Sequence, residues 1–137
     1  MKEYVLGFMF DQSGYNVLLI KKERPDWQKG MWNGIGGSIE IGETPIEAMI
    51  REFKEETGIL HHNWEDLCVI GDENYRCYCF YTKSKKWSDY KSITDERVEH
   101  FSSDALDILG DKLIPNLWWM IHLAKDRLRR FSGNISL

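Results

Sequence analysis

"GGSIEIGETPIEAMIREFKEETGI", residues 36–59, packs three glutamates into five positions, Glu52, Glu55 and Glu56, and frames them with glycines, a proline, Arg51 and an earlier Glu43. Thr44, Pro45 and Glu47 mark a helix start: a threonine N-cap, proline at the first helical position and a glutamate that closes a capping box. Gly58 is placed to take the left-handed conformation that ends the helix, with Ile59 as its hydrophobic contact. Between them Ile46, Met49, Ile50 and Phe53 recur at i, i+3, i+4 and i+7, one apolar stripe facing a core. With about 100° between successive residues, Glu52, Glu55 and Glu56 share the neighbouring arc, where Ala48 leaves room above it.

Arg51 stands one turn from both Glu47 and Glu55, and i,i+4 pairing worth a few tenths of a kcal/mol accounts for it. Such pairing does not account for three mutually repelling carboxylates beside a glycine-rich loop. Oxygen ligands converging on one point suit Mg²⁺ or Mn²⁺, hard cations that relieve the repulsion and are commonly bound together with substrate phosphates. The stretch therefore predicts a divalent-metal site on a helix.

The rest of the chain sets the frame. Its 137 residues are enough for one domain, 1–137, and a mixture of 42% hydrophobic and 29% charged residues is that of a soluble globular protein. No stretch reaches the ~18 uninterrupted apolar residues of a membrane span. The opening "MKEYVLGFMFDQ" reads as a strand, not a signal peptide. A net charge of −4 argues against a broad surface for a nucleic-acid polymer, and "KDRLRRF" (125–131) reads as the solvated side of a helix. Cys77 and Cys79 alternate in "NYRCYCFYT" and so share one sheet face. With Cys68 they read as reduced thiols, which fits a cytoplasmic protein.

"EYVLGFMF" and "YNVLLIKK" read as two strands joined by the turn cluster "DQSG". A long loop follows, "ERPDWQKGMWNGIGG", of a length that is often functional. After the helix come two more strands in residues 65–83, a polar loop, a short strand at "VEHFS", a helical turn at "SDALDIL", and a last helix opened by Pro115. Strands with two separated helices predict an α/β sandwich, a mixed β-sheet between helices.

Gly37, Glu43, Arg51, Glu52, Glu55, Glu56 and Gly58 also sit at the spacing of the Nudix box, and the chain resembles the Nudix hydrolases, including the MutT-like members. Seven fixed matches at about 7 per cent each arise on the order of once in 10⁸ random windows. Phe53 replaces the smaller aliphatic residue usual there. The order of strands and helices around the box also fits the family. The resemblance implies a Nudix-type α/β/α sandwich, and a reaction in which water attacks a phosphorus of a nucleoside diphosphate linked to X. It implies Glu52, Glu55 and Glu56 as metal ligands, helped by the Gly36 carbonyl, and a Glu43–Arg51 pair that holds the loop against the helix. Glu52 is the family's usual base. A glutamate from a later loop also serves, here Glu96, with Asp95 and Glu99 as alternatives.

"GMWNGIGGSIEIGE" resembles the loop of the subgroup that hydrolyses oxidised purine nucleoside triphosphates such as 8-oxo-dGTP, with Ile35 where most other members have proline. By that resemblance Asn33 would bond the purine edge and Trp27 would stack on it, while Trp32 reads as core. The subgroup's tryptophan and aspartate pair before the last helix is missing, and Asn116 is the polar group in its place. Lys21, Lys22 and Arg24 are candidates for phosphate contacts. Three readings follow: a triphosphate pyrophosphohydrolase with Mg²⁺ or Mn²⁺, an ADP-ribose or nucleotide-sugar hydrolase, and a non-catalytic nucleotide-binding domain. The expected partner is a nucleotide, with no nucleic-acid polymer and no membrane, and the expected state is a monomer or homodimer.

Overall fold

Strand β1 (Lys2–Phe10) sends Phe8 and Phe10 to one face and Val5 and Met9 to the other, and β2 (Asn16–Lys21) divides Val17 and Leu19 from Leu18 and Ile20 in the same way. Strands that are apolar on both faces need cover on both. Helix α1 (Pro45–Thr57) supplies Met49 and Phe53 to one side, and helix α2 (Leu117–Phe131) supplies Leu117, Met120, Ile121 and Ala124 to the other. The structure, a computed structural model, describes residues 1–131, without the side chains of Arg130 and Phe131. Its layers are those of an α/β/α sandwich.

The remaining strands are β3 (Trp32–Asn33), β4 (Ile35–Ser38), β5 (Glu65–Gly71), β6 (Tyr75–Lys83) and β7 (Val98–Ser102). They form one mixed sheet in the order β3-β2-β1-β6-β5, with β4 paired to β1 and β7 to β2. Among the paired strands of the described residues, β1 and β6 alone pair in parallel. One edge of β1 is shared: β2 meets it at Phe10–Val17, and β4 meets it along Tyr4–Gly7. The two partners diverge from that edge, and the segment joining the β2 side to β4 lines the cleft described below.

Four details differ from the sequence expectations. The stretch read as one long loop contains β3, only two residues long, and β4, whose two glycines hid its strand character. Ala48 does not leave open room; it is fully buried with Met49 and Phe53, because α1 presses on the sheet over a wider arc than the four-residue stripe. Pro115 does not open the last helix. Asn116 takes φ 79°, its carbonyl accepts from Met120 N–H at 3.2 Å, and helical geometry starts at Leu117. The basic segment is not merely solvated: Lys125 is buried against Asp104, and Arg127 donates to the carbonyls of Asp66 and Leu67 at 3.0 and 2.7 Å. The Arg130 and Phe131 side chains of that segment lie outside the described residues, as do positions 132–137 of the expected domain.

Cys77 and Cys79 share one face, as alternation requires, with their sulfurs 4.0 Å apart and unbonded, and Cys68 is free as well. Trp32 is buried, edge-on to Phe101 at 4.7 Å between centroids. Among the described residues no helix is long and apolar enough to cross a membrane.

Gly36 and Gly37 are glycines for different reasons. A Cβ at Gly36 would lie 1.9 Å from the Val5 carbonyl oxygen, so any side chain forces β4 off β1. A Cβ at Gly37 would instead meet the Glu52 carboxylate at 2.5 Å, the movable end of a side chain. Gly36→Ala should therefore lower Tm by about 5 °C or more, and Gly37→Ala by clearly less. Thermal unfolding followed by circular dichroism checks this. An equal loss in both would contradict it.

Candidate active site

Helix α1 begins as the sequence predicts: the Thr44 hydroxyl accepts from Glu47 N–H at 3.3 Å, the Glu47 carboxylate accepts from Thr44 N–H at 3.0 Å, and Gly58 closes the helix at φ 79°. This capping box has a consequence for Arg51. Glu47 is committed to Thr44, so the guanidinium turns to Glu43 instead, with Nε to Oε2 at 2.7 Å and Nη2 to Oε1 at 2.9 Å. The fork is bidentate, the strong geometry for this pair. Nη2 also donates to the Ser38 carbonyl at 3.0 Å, and Nη1 to Glu52 at 3.0 Å and Glu55 at 3.2 Å. One cation thus ties the end of β4, the loop after it and two of the box carboxylates together.

Glu52 and Glu56 line a cleft of about 800 Å³, while Glu55 is half-exposed, held by Arg51, and does not line it. Burial pushes the Glu52 carboxyl above its ordinary range; Arg51 pulls it down, and the charges of Glu55 and Glu56 push it up again. Burial also raises Glu56, against a hydrogen bond from Thr94, and the charges of Glu96 and Glu55 add to the rise. Glu96 reaches the same cleft from the loop before β7. It is 4% exposed and held by Lys22 Nζ at 3.0 Å and the Glu23 N–H at 2.6 Å. Its two sequence alternatives lie elsewhere: Asp95 is an exposed partner of Arg24, and Glu99 lies on β7 beside Arg97, 3.8 Å away.

The other expected site residues divide. Arg24, Trp27, Asn33, Gly36 and Asn116 line the cleft, joined by Lys22, Tyr4, Leu6 and Tyr75. Lys21 does not line it, since strand alternation turns neighbouring side chains to opposite faces and it is Lys22 that faces the carboxylates. Trp27 is 64% exposed in a short 3-10 turn at Asp26–Gln28. The Asn33 amide is engaged: Nδ2 donates to Gln28 at 3.1 Å, and Oδ1 accepts from Gly34 N–H at 2.8 Å. Asn116 accepts from Trp119 Nε1 at 3.0 Å. Sequence reasoning missed Gln28, Ser38 and Thr94; none belongs to a spacing pattern, and each acts through a contact that only the fold creates.

Among the described residues no three histidine, cysteine or acidic side chains stand close enough to enclose an ion as they are. The donor chemistry nonetheless fits a hard divalent cation. Burial raises the proton affinity of Glu52 and of Glu56, the negative charge of Glu55 adds to both rises, and oxygen donors of this kind favour Mg²⁺ or Mn²⁺.

Glu43 carries the converse signature. The Arg51 guanidinium, then the Glu40 N–H, hold its carboxyl down to about 2 from 4.5. A folded-state value below the unfolded one gives stability that is complete above pH 4.5 and is lost as pH falls towards 2. Wild-type Tm should accordingly fall more steeply across that window than the Tm of Glu43→Gln, which has no such proton to gain. Parallel curves in a calorimetric pH series would contradict the pairing.

A family model described as the NUDIX domain matches residues 2–109. The RNA pyrophosphohydrolase of Francisella philomiragia is 38% identical in a 73-residue alignment that covers 47% of this chain and 47% of that protein. The chain spans about half the length of the curated relatives it matches. Among solved structures, the NUDIX domain of Shewanella oneidensis NrtR, complexed with ADP ribose, superposes with a TM-score of 0.72 at 21% identity, covering 92% of this chain and 87% of that one. A MutT structure from work on Aliivibrio salmonicida and Vibrio cholerae gives 0.67 at 21% identity, over 78% and 84% of the two chains. These likenesses show the fold, and the domain match extends from β1 through the box to the segment after β7. By its sequence the chain belongs to the Nudix hydrolase family.

Proposed function

We propose that this chain hydrolyses the diphosphate linkage of a nucleotide in the presence of Mg²⁺ or Mn²⁺, with a nucleoside triphosphate as substrate and a monophosphate and pyrophosphate as products. The observation that carries the reading is the facing pair of walls in one cleft: desolvated Glu52 and Glu56 on α1, and buried Glu96 opposite, with Lys22 and Arg24 beside it. Glu52, Glu55, Glu56, the Gly36 carbonyl and Glu96 would hold the ion. When bound, it would supply charge stabilisation at the phosphoryl oxygens and a more acidic water.

The chain's own groups do the rest. Glu52, its proton affinity raised by burial, accepts the proton of the attacking water, with Glu96 as the second candidate. Arg51 and Glu43 keep the β4 end and α1 in register, so that the Gly36 carbonyl and Glu52 face the same space. Lys22 and Arg24 meet the phosphate chain, and exposed Trp27 offers a stacking face to the base. The free thiols suit a cytoplasmic setting.

The engagement of Asn33 within its own turn supports a base pocket less specific than that of an oxidised-purine reader. Asn33 bonds Gln28 through one N–H and Gly34 through one oxygen lone pair, which supports a turn-shaping role and leaves one donor and one acceptor site for a purine. A second reading follows from the relatives named RNA pyrophosphohydrolase: the triphosphate at the 5′ end of an RNA, its first base on Trp27. The net charge of −4 would confine such contact to the terminus.

Glu56→Gln should lower kcat at least about 100-fold at saturating Mg²⁺ without changing Tm, since it removes charge and keeps shape. Near-normal turnover would refute the metal-site assignment. Arg51→Ala should lose more activity than Glu47→Ala, which disturbs only the helix cap, and equal activities would reduce Arg51 to a surface pair. For the base, Asn33→Ala should change kcat/KM by no more than about threefold and equally for purine and pyrimidine triphosphates. A loss confined to purines would restore the base-reading role. Chromatography of the products on triphosphates, 5′-triphosphate RNA and ADP-ribose ranks the substrates. ADP-ribose turning over fastest would displace the triphosphate reading.

A further inference from the structure

The loop before β7 does more than deliver Glu96. Its backbone is strapped over the C-terminal end of α1: Lys91 N–H donates to the Thr57 carbonyl at 2.9 Å, and Ile93 N–H to the Glu56 carbonyl at 3.4 Å. These are helix-end carbonyls that lack intrahelical partners. The Ile93 side chain also rests 3.5 Å from where a Cβ on Gly58 would stand, so the strap closes over the helix-ending glycine. At the end of this strap sits Thr94. Its hydroxyl donates to Glu56 Oε2 at 2.8 Å and accepts from Glu96 N–H at 3.2 Å.

A hydroxyl has one hydrogen, so these two bonds fix each other's direction. With the proton on Glu56, only the oxygen lone pairs remain for Glu96 N–H. The arrangement joins two acids that lie 40 positions apart in sequence through a single atom. It occupies one oxygen of Glu56 and leaves Oε1 for other partners. It also seats Glu96, whose carboxylate is held independently by Lys22 and the Glu23 N–H.

We propose that Thr94 is a positioning residue, which sets the orientation of the Glu56 carboxylate and its register with Glu96 across the cleft. This rests on the hydrolase reading above, in which Glu56 and Glu96 are metal-site acids. Nothing in the Nudix box spacing marks Thr94. Its role follows from the two bonds it makes and from the strap that carries it.

The test compares Thr94→Val, which keeps the shape and loses the hydroxyl, with Thr94→Ser, which keeps the hydroxyl and loses a methyl. Glu56→Gln serves as the reference. Two readouts are taken: free Mn²⁺ by electron paramagnetic resonance, and kcat and KM on the best triphosphate. Thr94→Val should weaken Mn²⁺ binding and lower kcat, each by about 10-fold, with KM for the nucleotide little changed, as expected for one lost hydrogen bond to a charged group. Thr94→Ser should restore both to within about threefold. If Thr94→Val matches wild type in both readouts while Glu56→Gln loses both, the positioning role is wrong and the hydrolase reading stands. If serine fails as badly as valine, the methyl packing matters and the hydroxyl does not, which also overturns the role. If Glu56→Gln leaves Mn²⁺ binding and turnover intact, the metal-site reading falls and the role of Thr94 with it.

Discussion

Everything at the cleft depends on where the Arg51 guanidinium points. Its five donors reach Glu43, Glu52, Glu55 and the Ser38 carbonyl, so a single side chain joins β4, the turn after it and the exposed arc of α1. A surface ion pair is worth little because solvent screens it and both side chains lose freedom. This one is partly shielded, with Arg51 at 23% and Glu43 at 18% exposure, and it is bidentate, so it acts as a geometric brace. The brace ties the end of β4 to α1. There Gly37 lets the strand approach Glu52 closely enough for its carboxylate to fill the space a side chain would take, while Gly36 keeps the same strand close against β1.

Charge balance on the helix follows from the same contact. Glu52, Glu55 and Glu56 repel one another, and Arg51 offsets part of that repulsion for Glu52 and Glu55 but reaches neither Glu56 nor Glu96. On the Glu56–Glu96 side of the cleft Lys22 offsets part of the charge of the two acids, and burial with the charges of Glu96 and Glu55 still leaves the proton affinity of Glu56 raised. A divalent cation is the natural complement to that side. The cationic groups lining the same cleft, Lys22 and Arg24, are themselves tied to Glu96 and Asp95.

The helix and its acids were legible in residues 36–59 because capping box, apolar stripe and terminal glycine are all local patterns. Other features were incompletely legible or misread, for reasons that are also physical. Spacing alone offers Arg51 two helical partners at i±4; the Glu43 partner came from the family resemblance, and the capping box that engages Glu47 accounts for it. Strand β4 was hidden by Gly36 and Gly37, which serve close approach to the β1 backbone and to Glu52, and β3 by being only two residues long. Pro115 looked like a first helical residue, yet Asn116 accepts the first helical bond from a left-handed conformation. Glu96 could be nominated from its neighbourhood, but its selection over Asp95 and Glu99 depends on burial and on Lys22, which strand pairing brings near. Substrate contacts were the least legible, since Asn33 and Trp27 differ only in whether neighbours already occupy them.

The central proposal is that the braced acids of α1 and Glu96, from the strapped loop before β7, form one divalent-metal site. A crystal structure with Mn²⁺ and a non-hydrolysable nucleoside triphosphate analogue, read by anomalous scattering, tests it most directly. The account predicts an ion about 2.1 Å from carboxylate oxygens of Glu52 and Glu56, with Arg51 still forked on Glu43 and the phosphates beside Lys22. An ion bound away from those glutamates, or Arg51 released from Glu43 to hold the phosphates itself, would contradict it.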